Sequence, residues 1–70
     1  MLTLDQIENE FSYHAPKENQ PQRYELIRRH AKELALIILE NTPSCADQTA
    51  AIRKLRECVM TANAAIACNE

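Results

Sequence analysis

Two stretches decide the fold: Pro21–Asn41, reading PQRYELIRRHAKELALIILEN, and Cys45–Ala67, reading CADQTAAIRKLRECVMTANAAIA. In the first, Tyr24, Ile27, Ala31, Leu34 and Ile38 recur at intervals of three and four, the spacing of one helix face. Pro21 suits the first helical turn, where the N–H it lacks would have no intrahelical partner. In the second, Ile52, Leu55, Val59, Ala62 and Ile66 form one seam, and Ala50, Ala51, Ala64, Ala65 and Ala67 leave room for another helix to approach closely. Thr42-Pro43 breaks the first helix, and Ser44 with Asp47 has the spacing of a cap for the second. Helices of about 20 residues are each roughly 30 Å long. Joined by so short a loop, they run antiparallel.

Working outward, Thr3 and Gln6 have capping-box spacing, and Leu4, Ile7 and Phe11 make a short apolar stripe. The expected organisation is a single domain over 1–70: a short helix at 3–11, an extended connector at 12–20, and helices at 21–41 and 45–67. Pro16 pushes Ala15 out of helical geometry, which keeps the connector extended. The class is all-α, an antiparallel two-helix hairpin with a short N-terminal helix that needs its neighbours to be stable. The absence of glycine and the single phenylalanine disfavour a sheet with tight turns.

Seventy residues bury little apolar surface of their own. The first long helix is apolar beyond its seam, at Leu26, Leu36, Ile37 and Leu39, and surplus apolar surface needs a partner. A homo-oligomer is therefore expected. The alternative is a three-helix monomer in which the short helix covers that surface.

Composition excludes several functions. Cys45, Cys58 and Cys68 are odd in number and lack paired-ligand spacing, so they read as reduced thiols, with neither disulfide nor zinc. No apolar run reaches the ~18 residues of a membrane span. The N-terminal eleven residues hold three acids and no base, unlike a secretory signal. No nucleophile–base pairing, phosphate-binding glycine loop or metalloprotease motif is present, so neither an enzyme nor a cofactor is expected. A net charge of −2 argues against general DNA binding.

The charge is nonetheless uneven. Residues 1–12 carry −3 and residues 33–70 carry −2, whereas 13–32 carry +3, from Lys17, Arg23, Arg28, Arg29 and Lys32 against Glu18 and Glu25. Composition alone favours a solvated helix face, with Glu25 and Arg29 as an i,i+4 pair. The segment Phe11–Lys17, FSYHAPK, adds an exposed-looking aromatic beside these cations. A nucleobase stacks on such a ring, and guanidinium groups match phosphate oxygens. That combination points to a small, planar, anionic ligand.

The ordered strings FSYHAPK (11–17), QPQRYELIR (20–28), AKELA (31–35) and VMTANAAIA (59–67) resemble the phage anti-CBASS cyclic-nucleotide sponges, the family of anti-CBASS protein two. A related hairpin serves as a sponge for the cyclised ADP-ribose signals of Thoeris defence. The resemblance implies a hairpin assembled as a homohexamer of dimers, acting in the infected bacterial cytoplasm. There it would sequester cyclic dinucleotides such as cyclic GMP-AMP between two protomers without cleaving them. By the same resemblance Tyr13 stacks on the bases and Arg28 contacts phosphate, with Lys17 and Arg29 as further candidates. Some family members also take cyclic trinucleotides. Here Thr61 and Cys68 stand where the family pattern has tryptophan and arginine, which weakens that expectation and leaves His30 as the polar group on offer. The runner-up reading is a helical protein-interaction adaptor, and a small nucleic-acid-binding regulator comes third.

Overall fold

The computed structural model describes residues 2–70. It contains three helices, α1 (Leu4–Glu10), α2 (Gln20–Asn41) and α3 (Ala46–Asn69). α2 and α3 pack as the antiparallel hairpin, and α1 lies against α3.

Local chemistry accounts for most of the helix ends. Thr3 caps α1 reciprocally with Gln6, the hydroxyl accepting from Gln6 N at 3.2 Å and the Gln6 amide oxygen from Thr3 N at 2.8 Å. Pro21 occupies the first turn of α2 as expected. At the far end of α2, Asn41 Nδ2 donates to Ile37 O at 2.8 Å and Thr42 Oγ1 to Ile38 O at 2.6 Å. The second bond satisfies one of the last four carbonyls, which the ending helix leaves without intrahelical partners. Gln48 closes the turn from α3, its amide donating to Leu39 O, Thr42 O and Thr42 Oγ1 at 3.1–3.3 Å.

Three expectations need correction. α3 starts after Cys45, which is its N-cap and makes no side-chain capping bond, so Ser44 and Asp47 do not form the expected cap. α3 also runs to Asn69 rather than Ala67, since neither glycine nor proline interrupts it. In α2 the half-buried apolar positions are Tyr24, Ile27, Ala31, Ala35 and Ile38, while Leu34 faces outward. A 3.6-residue turn makes Ala35 the closer continuation from Ala31.

The hairpin is a flat slab measuring 44 × 30 × 15 Å with a radius of gyration of 15.2 Å. A compact chain of this length would have a radius of about 11 Å. Among the described residues no hydrophobic side chain is buried. Leu26, Leu36, Ile37 and Leu39 are all exposed, as their surplus over the seam predicts, and Met60 is 61 % exposed. The seam positions of α3 are half-buried against α2. A single layer of helices has no second layer to close it.

Candidate functional site

The connector between α1 and α2 is held at both ends. On one side, His14 Nε2 donates to Asn9 O at 2.7 Å, and Asn9 Nδ2 donates to Cys68 O at 2.8 Å. On the other side, the connector closes in a turn, with Gln20 N donating to Lys17 O at 3.0 Å. Glu18 within that turn adopts φ 53, a left-handed conformation that costs a residue with a side chain about 1–2 kcal/mol. Lys17 N also donates to Gln20 Oε1 at 3.2 Å. Gln20 is the one buried residue among those described, at 4 % exposure.

Between these anchors Tyr13 stands 87 % exposed. Its ring borders a recess of about 430 Å³ whose other walls are His14, Pro16, Tyr24, Arg28, Asn63, Ala64 and Ala67. Pro16 keeps the segment extended, and Ala64 and Ala67 keep the α3 wall low. Tyr24 is half-buried, in keeping with its place at the start of the apolar stripe. Asn63 Oδ1 is buried and has no hydrogen-bond partner. A buried acceptor left in that state is costly, so this wall is short of one donor.

The cations divide by partner. Arg28 lines the recess and pairs with Glu25 at 2.8 Å, so Glu25 bonds the residue three positions on rather than Arg29. Lys17 turns away, its Nζ donating to Glu70 O at 3.0 Å. Arg23 grips the Glu70 carboxylate with both terminal nitrogens. That hydrogen bond, followed by one from Gln20, holds the Glu70 carboxyl below its ordinary range, and the bond to Glu70 pushes the Arg23 guanidinium further up. Arg29 and His30 do not line the recess, and His30 Nδ1 lies 3.7 Å from Glu33.

Of the residues singled out in the sequence, the fold therefore unites Tyr13 and Arg28. It adds Tyr24, Asn63, Ala64 and Ala67, which the sequence did not mark as site residues. Asn63 left one signal, an isolated amide in the alanine-rich run Ala62–Ala65 on the seam side of α3.

Two further concavities adjoin the hairpin. An almost wholly apolar groove of about 270 Å³ runs between Ala31 and Ala35 of α2 and Ile52, Leu55, Val59 and Met60 of α3. Arg28 lines this groove as well as the Tyr13 recess, so the two share a rim. Between α1 and α3 lies a second, more polar hollow that contains both Thr61 and Cys68. His30 is not among its residues. Among the described residues, no cluster of side chains is suited to hold a metal ion and no helix is long and apolar enough to cross a membrane.

One family model, described as Acb2/Tad1, hairpin domain, matches residues 3–67. No curated protein and no solved structure gives a match.

Proposed function

The chain belongs to the Acb2/Tad1 hairpin-domain family, the sponges of anti-CBASS and Thoeris anti-defence, and from that premise we propose that it sequesters cyclic dinucleotides intact at the Tyr13 recess. The observation that carries this reading is the recess itself. It presents an exposed ring and a guanidinium together, beside a low wall of Ala64 and Ala67. The ring offers a stacking face and Arg28 a phosphate partner.

A second copy of the chain completes the site. The apolar groove and the exposed leucines need cover, because a lone hairpin buries no hydrophobic residue among those described. With Arg28 on the rim common to groove and recess, a protomer seated on the groove stands at the edge of the ligand. A twofold dimer gives each half of a near-twofold ligand the same Tyr13 and Arg28. Three such dimers make the hexamer. Holding the ligand needs no acid–base group, so the protein works by mass action in the host cytoplasm, where the messenger is made.

Calorimetric titration with cyclic GMP-AMP tests the proposal, with cyclised ADP-ribose as a parallel arm, since the family serves both defences. One ligand per two chains and recovery of intact nucleotide after heating are expected. No heat with any purine cyclic dinucleotide at micromolar concentration overturns the ligand class, and a linearised product overturns sequestration. Saturation by cyclised ADP-ribose alone would move the site to the Thoeris signals.

A further inference from the structure

We propose that Glu70 is a positioning residue for the ligand site, clasping the connector and the first turn of α2 so that Tyr13 is already in place before ligand arrives. This rests on the cyclic-dinucleotide reading above.

Tyr13 is almost wholly exposed, so packing does little to hold its ring. Its placement falls to the backbone on either side. Three side chains from the connector and the start of α2 converge on one residue about fifty positions away. Lys17 Nζ donates to Glu70 O at 3.0 Å, Gln20 Nε2 to Glu70 Oε1 at 3.3 Å, and Arg23 bonds both carboxylate oxygens, at 2.9 Å for Oε2. A planar fork on a carboxylate fixes direction as well as distance. Gln20 passes the restraint on, because its other amide atom accepts from Lys17 N. The buried Gln20 thus ties the connector backbone to the end of α3.

The same bonds take two cations away from the ligand. Lys17 and Arg23 are both engaged with Glu70, whereas Arg28 lines the recess and pairs with the exposed Glu25. With His14 and Asn9 anchoring the opposite end to Cys68 O, the connector is fastened twice to the last turns of α3. A segment ordered in advance has less freedom to lose on binding, which strengthens affinity without a new contact. Glu70 lies outside residues 3–67, so the clasp belongs to this chain beyond the span of the family model.

The experiment compares wild type with Glu70→Ala, Arg23→Glu and the charge-swapped double variant Arg23→Glu/Glu70→Arg. Hydrogen exchange is followed without ligand, and cyclic GMP-AMP affinity by calorimetry. In Glu70→Ala the connector amides should exchange faster while the centres of α2 and α3 and the oligomer mass stay unchanged. Affinity should fall by about three- to tenfold. The swapped pair should regain part of both losses, which a merely local role for Glu70 would not produce.

Faster connector exchange with unchanged affinity overturns the positioning role, as does Glu70→Ala behaving as wild type in both measurements. A wild type that binds no cyclic dinucleotide overturns the functional reading and this proposal's ligand half with it. That failure is seen in the parent protein rather than in the variants.

Discussion

Dilution is the perturbation that tests most directly whether a hairpin without buried hydrophobic residues stands alone. If a second copy supplies the missing cover, unfolding and dissociation are one event, and the melting temperature depends on protein concentration. Unfolding entropy of about 2.1 cal/mol/K per residue gives about 0.15 kcal/mol/K for a chain of 70 residues. A tenfold change in concentration is worth about 1.4 kcal/mol for each association step. The expected shift is therefore about 5 °C per tenfold for a dimer and about 8 °C for a hexamer, since five association steps are then divided among six chains. Far-UV circular dichroism melts of ligand-free protein from about 1 to 100 µM span two such steps. A melting temperature constant to within about 1 °C over that range would show a self-sufficient monomer and refute the inference drawn from the exposed faces.

Three further outcomes are expected. Tyr13→Ala should weaken cyclic dinucleotide binding at least about 20-fold in calorimetry, since each stacked base contributes about 1–3 kcal/mol and a twofold ligand loses two rings. The ring is 87 % exposed, so the helical dichroism should not change, and wild-type affinity in this variant would reject the site. Arg28→Gln should cost about tenfold in affinity, whereas Glu25→Gln should tighten binding by up to about threefold by freeing the guanidinium it now holds; direct titration of both variants decides. Finally, the Glu70 carboxyl is held low by Arg23 first and Gln20 second. A depressed native value means that its contribution is present above the unfolded value and is lost as pH falls through the native one. The clasp should thus be intact at neutral pH and open below the ordinary carboxylate range. Exchange protection factors of the connector should fall there in wild type and stay flat in Glu70→Gln.

The elements legible in the sequence were those set by near neighbours. The Thr3–Gln6 capping box, Pro21 at a helix start, and the Ile52–Ile66 seam each act over a few residues, and the short loop after Asn41 left no choice but an antiparallel return. Two local signals pointed to neighbouring residues. Glu25 met Arg28 instead of Arg29, and Cys45 took the cap that Ser44 and Asp47 suggested. The end of α3 was illegible because no residue after Ala67 stops a helix.

For the site, Pro16 made the extension of the Tyr13 segment readable. Asn63 and Glu70 were hidden because each meets the connector or α2 only after the hairpin closes. Lys17 looked like a phosphate ligand until its partner came into view from the far end of the chain. The exposed charge of Arg28 said little by itself, and its position between the Tyr13 recess and the apolar groove depends on both long helices.

If a second protomer seats on the groove, as proposed, that shared position of Arg28 makes capture and assembly reciprocal. A side chain that borders both the ligand and the neighbouring protomer lets each stabilise the other, and the coupling must be equal in both directions. Bound messenger would then tighten the assembly, and assembly would tighten the hold on messenger. On that reading the bound signal would itself raise the melting temperature of the assembly that holds it.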